Sequence, residues 1–436
     1  MRKGKMISLF LTMLVLSVLF VMGGVCQAAK RVNLLVWTGY PETIPFYELA
    51  ARDYEKEHTN VKIEVAGYAL RDYERKLAIS LPAGACADVL MLGSEFFPRY
   101  MSSGYLLPNP PKVDAFLKGN RYNQLFISWQ TLEGKTYGLP LFGGGPSLFW
   151  NKTMFAEAGL SSAPETYGEL TEYARKLAKY DEKGNLIRSG ITLRLSGSGS
   201  GVAQKWTFKL WPAGGRQVVK TPSGKYYNGY NNQAGRDALK WYIDALHKYH
   251  IDDIKMKHDA EGFTLQKAAM LQRESWVIGY LKEHAPEVNY GVAYMPKWRR
   301  WGAFRNWKSM CVPISSKYPD IAWDFVMYMQ QPKYVKYMLR EIGWVPCRTE
   351  DVDYKDIFKE TPQFRPFLVF PKDYIIYADQ PLPCQDEYQT KLAERLISAY
   401  TRKDLLDNPE GIAKVIEKAA KETDEILKEA GFYGVK

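Results

Sequence analysis

The chain has 436 residues, of which 46% are hydrophobic, 25% charged and 14% aromatic, a globular composition that excludes a disordered or collagen-like polymer. Fifty-nine Lys and Arg against 48 Asp and Glu give a net charge of +11. These cations are scattered rather than clustered, which argues against a nucleic-acid partner, and the length is that of about two domains.

Arg2, Lys3 and Lys5 precede an apolar run from Met6 to Val25 that ends in Cys26, Gln27, Ala28 and Ala29. Small residues at Cys26 and Ala28 favour cleavage, so residues 1 to 28 are expected to be a secretory signal peptide, with an uncleaved anchor as the alternative. An acylated Cys26 is disfavoured by Val25, which stands where a lipobox has a small residue. Removal of three positive charges leaves +8 on an expected periplasmic protein. Cys86, Cys311, Cys347 and Cys384 remain, an even number open to one or two disulfides or to buried free thiols.

A strand is predicted from Val32 to Trp37, then a helix with Ile44, Tyr47, Ala51 and Tyr54 on one face, then a strand through Val61, Ile63 and Val65. A helix with Leu70, Tyr73 and Leu77 follows, and a third strand from Val89 to Leu92. Strands about 30 residues apart with a helix between each pair read as βαβ units, so the fold class is α/β with a parallel sheet. Such sheets bind ligands at the carboxyl ends of their strands, which points to Thr38 to Tyr40, Tyr68, and Gly93 to Phe96.

Thr131 to Leu139 reads as a hairpin turning at Glu133-Gly134, and Gly143 to Pro146 as a hinge. A second lobe then starts with a strand at Ser147 to Trp150 and a helix capped by Thr166 and Glu169. Helical spacing continues at Ala238, Tyr242, Ala245 and Tyr249. Short strands are expected at Trp276 to Tyr280, Gly291 to Tyr294 and Met310 to Ile314, and the part beyond Pro319 should be mostly helical.

Neither Gly143 to Gly145 nor Ser196 to Gly201 continues into a phosphate-binding pattern, and the runs read as a hinge and a flexible surface loop, or as loops whose exposed amides bond a ligand. His247, His250 and His258 lack metal-site spacing and no GxSxG is present, so no cofactor, metal or catalytic centre is expected. A secreted glycoside hydrolase remains the enzymatic alternative, because carboxylate pairs are defined only in three dimensions.

Twelve Trp and 30 Tyr are a heavy load, and Trp37, Tyr40, Tyr68, Trp206, Trp211, Trp276, Trp301, Trp307 and Trp344 fall in predicted loops. A sugar offers a C–H face to an aromatic ring and hydroxyls to carboxylates and amides, so such loops suggest a carbohydrate site.

The segments ADVLMLGSEFFPRYMSSGYLLPN (87–109), EGKTYGLPLFGGGPSLFWNKTMFAEAGL (133–160), PETYGEL, KAAMLQRESW (267–276) and YGVAYMP (290–296) resemble the extracellular solute-binding proteins of the family that includes maltose-binding protein. That resemblance implies a monomeric receptor of an ABC sugar importer, with two α/β lobes that close on a ligand and deliver it unchanged to a membrane permease. It implies lobes of residues 29–144 plus about 306–348, and 145–305 plus about 349–436, with crossovers near Gly143, Arg305 and Thr349. Glu95 matches a carboxylate that accepts sugar hydroxyls and Trp276 an aromatic stacking position. Tyr40 and Tyr68 lie in matching strand-end loops, and Tyr388 matches another aromatic loosely. With Ser94 and Glu274 from the same segments, the ligand-binding set is completed by Trp37, Trp206, Trp307 and Trp344. Leu92, Gln266 and Trp301 to Trp307 depart from the pattern and leave the sugar open. Arg305, with Arg299 and Arg300 beside Trp301, makes an acidic ligand such as a uronate or phosphorylated polyol the alternative within binding proteins.

Overall fold

The first strand, β1 (Val32–Thr38), buries every second residue, and the helix that follows, α1 (Ile44–Glu57), buries Phe46, Tyr47, Ala50, Ala51 and Tyr54 along one stripe. The computed structural model describes residues 31–119, 122–256 and 259–435, so the expected signal peptide and His258 lie outside the described residues. In chain order the elements that follow are β2 (Val61–Gly67), α2 (Leu70–Ser80), β3 (Val89–Gly93), β4 (Leu139–Gly144), β5 (Ser147–Asn151), α3 (Tyr167–Leu177) and α4 (Gly201–Leu210). Then come α5 (Gln233–His247), β6 (Met270–Arg273), α6 (Trp276–His284), β7 (Tyr290–Ala293), β8 (Gly302–Phe304), β9 (Asn306–Cys311) and β10 (Val345–Pro346). The last are β11 (Ile375–Tyr377), α7 (Gln385–Tyr400) and α8 (Pro409–Glu429).

One lobe is built on a six-stranded sheet in the order β10, β4, β9, β3, β1, β2. Its first three strands are parallel, as the spacing predicts, but β4, β9 and β10 make antiparallel pairs. The sheet as a whole is therefore mixed, with the expected parallel order kept by the three strands that the spacing covers. β9 and β10 enter the sheet after the chain has visited the second lobe, so helical crossovers do not set their direction. The second lobe carries the antiparallel sheet β6, β5, β7 and the parallel pair β8, β11, packed with α3, α4, α5, α7 and α8.

The hairpin at Glu133-Gly134 pairs Thr131 with Thr136, and the capping box forms in both directions, each bond 3.1 Å long between Thr166 and Glu169. Trp276 to Tyr280 is helical rather than a strand. Its Val and Ile residues favour strands locally, but Val277, Ile278 and Leu281 are the buried positions, which is helical spacing. The strand expected at Met310 begins four residues earlier, at Asn306. Cys86, Cys311, Cys347 and Cys384 are all free thiols, which settles the cysteine question without a disulfide among them.

The chain passes between the lobes at Gly145-Pro146 and again at Arg305, and the two passages lie side by side, with Gly143 opposite Trp307 and Gly144 opposite Asn306. A Cβ on Gly145 would stand 2.2 Å from the Phe304 carbonyl oxygen. Gly145→Ala is accordingly expected to cost about 1–3 kcal/mol by forcing the two strands apart. A urea midpoint equal to wild type would refute that close approach.

Lys209 of α4 is 2% exposed, donates to Gln272 Oε1 and lies 4.8 Å from the Trp241 ring. Burial pulls its pKa down to about 7. An unfolded lysine titrates near ~10.4, so the unfolded chain binds more protons between these values and stability rises with pH across that window. Lys209→Met should therefore stabilise the fold by about 1–4 kcal/mol below pH 7 and by progressively less towards pH 10. Denaturant midpoints across this range measure it, and a gain that does not change with pH would contradict the buried charge.

Candidate functional site

The predicted loops at the carboxyl ends of β1, β2 and β3 open onto a cleft of about 860 Å³ between the lobes. One wall comes from the first lobe: Tyr40 and Glu42 after β1, Arg71 at the start of α2, Glu95 after β3, Asn306 and Lys308 of β9, and Trp344 before β10. The facing wall comes from the second lobe: Arg194, then Gln204 and Lys205 of α4, Arg273 at the end of β6 with Glu274 after it, and Trp276 and Tyr280 of α6.

Ring faces and polar groups alternate in this space. Tyr40 packs edge-on against Trp344 with centroids 5.5 Å apart, and both rest on Phe142. The Trp344 indole N–H donates to Glu42 Oε1 at 3.1 Å. Across the cleft Trp276 lies 5.8 Å from Tyr280, and the Arg273 guanidinium stands 5.3 Å from the Trp276 ring. The buried Lys308 ammonium is 5.2 Å from the Tyr40 centroid and 5.6 Å from that of Trp344.

The second wall is a chain of charges. Arg194 Nη1 lies 3.3 Å from Asp259 Oδ2, Arg273 Nε 2.6 Å from Asp259 Oδ1, and Arg273 Nη1 2.6 Å from Glu274 Oε2. Lys205 donates to Glu274 Oε1. Burial works to raise the Glu274 carboxyl, but Arg273 and Lys205 outweigh it and hold the group well below the usual carboxylate range. Burial, helped by the charge of Arg273, brings the Lys205 ammonium down to about 8, with Glu274 opposing. Glu274 is thus an ionised hydrogen-bond acceptor at neutral pH.

The lobes also meet beside the cleft. Arg71 bonds Glu74 at 2.6 Å and rests against Gly199, where a Cβ would come 2.7 Å from Nη1. The glycine run 196–201 is therefore no free surface loop. It ends in the N-cap of α4 and admits an arginine from the other lobe. Burial raises Glu74 to about 7, with Arg71 opposing and Glu95 and Asp386 adding to the shift.

Of the residues expected from the sequence, Tyr40, Glu95, Glu274, Trp276 and Trp344 line the cleft. Ser94 lies behind the wall, its amide bonded to the Trp307 carbonyl at 2.8 Å. Trp37 and Tyr68 turn away from the cleft and pack against each other at 5.8 Å, with Lys76 over both rings at 4.3 and 5.1 Å. Three expected aromatics are core residues. Trp206 is fully buried against Tyr230, because Gly201, Gln204 and Lys205 are the face of α4 turned to the cleft. Trp307 points to the opposite side of β9 from Asn306 and Lys308 and packs between Phe126 and Trp129. Tyr388 is fully buried in a cluster with Leu382 and Leu427. Arg305 donates to the Phe367 carbonyl at 2.7 Å, and Arg299 is engaged by Asp237 and the Ala213 carbonyl, so neither reaches the cleft.

Sequence reasoning missed Glu42, Arg71, Arg194, Gln204, Lys205, Arg273, Asn306 and Lys308. Strand alternation through Asn306-Trp307-Lys308 and helical spacing after Ser200 were available signals for four of them. Among the described residues, no group of three or more His, Cys, Asp or Glu side chains is arranged to hold a metal. His247 bonds the Tyr400 carbonyl at the end of α5, 2.9 Å away.

Residues 50–366 match the family described as bacterial extracellular solute-binding protein. A binding protein of Brucella abortus is 23% identical over 334 residues, covering 75% of this chain and 79% of that one. The maltodextrin-binding protein MdxE of Bacillus subtilis is 22% identical over 320 residues, covering 70% of each chain. Among solved structures, an ABC transporter solute-binding protein of Thermotoga lettingae bound with alpha-D-tagatose superposes with a TM-score of 0.78 at 21% identity, covering 92% of this chain and all of that one. A match across most of the chain, on a fold of two α/β lobes around one cleft, establishes that this protein belongs to the bacterial extracellular solute-binding protein family.

Proposed function

We propose that the protein is the periplasmic receptor of an ABC importer, that it binds a carbohydrate of more than one sugar unit between its lobes, and that it delivers the sugar unchanged to a membrane permease. The carrying observation is the cleft itself, in which Tyr40, Trp276 and Trp344 offer ring surfaces beside buried Glu95, Glu274, Asn306 and Lys308. Rings remove the C–H faces of a sugar from water, and the charged groups meet its hydroxyls, so neither face is left unpaired. The volume suits a ligand larger than a monosaccharide. The maltodextrin-binding relative and the tagatose-bound neighbour support the carbohydrate class.

In this reading the lobes are residues 29–144 with about 306–348, and 145–305 with about 349–436, and the monomeric protein hinges at the paired crossovers. Closure on the ligand then favours the conformation the permease meets, and does so only to the extent that the closed form binds better than the open one. Micromolar affinity corresponds to about 8 kcal/mol net. Catalysis is not part of the proposal, and a bound oligosaccharide recovered intact after prolonged incubation is its expected companion result.

A thermal-shift screen of neutral and acidic oligosaccharides is expected to find at least one that raises the melting temperature by mass action. For that sugar, Trp276→Ala should weaken binding at least tenfold by calorimetry, about 1.4 kcal/mol, while the unliganded melting temperature stays within a few degrees of wild type. Unchanged affinity would remove Trp276 from the site, and a screen with no hit would remove the carbohydrate.

A further inference from the structure

Lys308 is the least explained charge in the cleft. It is 2% exposed, and its ammonium donates to Asn306 Oδ1 at 3.2 Å, between the rings of Tyr40 and Trp344. Among the described residues no carboxylate forms an ion pair with it. Glu42 feels its charge, but Glu42 Oε1 is taken by the Trp344 indole N–H. An ammonium has three donors, so Lys308 keeps two beyond the bond to Asn306, and a buried cation without a counter-ion is costly.

The facing wall adds to the imbalance. Among the described residues, the ion pairs of Arg194, Arg273 and Lys205 go to Asp259 and Glu274, three cations to two carboxylates in a largely buried network. Arg194 Nε is buried and finds no hydrogen-bond partner among the described residues. A neutral sugar answers neither feature, because a hydroxyl supplies a partial charge where each wall holds a full one.

Building on the carbohydrate reading, we infer that the ligand is an acidic oligosaccharide, with a uronate carboxylate that accepts from Lys308 Nζ between the Tyr40 and Trp344 rings. Glu95, on the same wall, accepts hydroxyls from a neighbouring position, so the carboxylate is sorted by place and not by the overall charge of the cleft. The positive network of the second wall faces the same anion when the lobes close. Arg299 and Arg305, on either side of Trp301, play no part, since they are engaged elsewhere.

The test uses calorimetry of the mature protein with three matched sets: trigalacturonate and trimannuronate, their methyl esters, and the neutral trisaccharides maltotriose and mannotriose. At least one acidic trisaccharide should bind tenfold or more tightly than its own ester, with affinity falling as salt rises. Lys308→Met should abolish that preference, weakening the acid at least tenfold more than it weakens the ester, and Lys308→Arg should restore much of it. If Lys308→Met does not fold, the acid-to-ester ratio in wild type and in Lys308→Arg still decides the question. Neutral trisaccharides that bind while no acid exceeds its ester would overturn the acidic ligand and leave the sugar receptor standing. An acid preference unchanged in Lys308→Met would overturn the role of Lys308. Failure of all six compounds to bind, with no hit in the wider screen, would overturn both readings.

Discussion

Everything in the site depends on two strands lying side by side where the chain changes lobes. β4 leaves the first sheet at Gly144 and β9 returns at Asn306, and the two residues face each other across an antiparallel pair. A side chain at Gly144 would come 2.9 Å from Glu274 of the second lobe and 3.1 Å from Trp344 of the first. Bare backbone at this point lets charge from one lobe and ring surface from the other share the cleft floor.

Around that floor, the charges are organised by burial. Glu274 stays ionised because Arg273 and Lys205 outweigh the desolvation that burial imposes, and Arg273 is itself held by Asp259. Each member of such a network fixes its neighbours, so the donors and acceptors are in place before a ligand arrives and less ordering remains to be done on binding. Truncating a single member would leave its buried partner without an ion pair, at a cost to the stability of the second wall.

Much of the first lobe was legible because its cause is local. Alternating burial in β1 and a one-sided stripe on α1 are properties of consecutive residues, and so were the strand-end loops that carry Tyr40 and Glu95 into the cleft. The family segments likewise located Glu274 and Trp276. The aromatic count was the weaker guide. Trp206 and Trp307 sit next to cleft residues in the sequence and point the other way, because one step along a helix or strand turns a side chain away from the face before it.

The amino-acid sequence by itself determined the α/β class, the hairpin and the capping box, since these follow from spacing, turn chemistry and short-range hydrogen bonds. Only the tertiary structure decided which aromatics reach the cleft, that Arg305 bonds the Phe367 carbonyl, and that Lys308 is buried with no carboxylate paired to it among the described residues. Those outcomes depend on which face of an element meets the other lobe and on distances between residues such as Lys205 and Glu274, 69 positions apart in the chain. Coulomb energy and desolvation are set by separation in space and by exclusion of water, and both come into being only when distant segments pack.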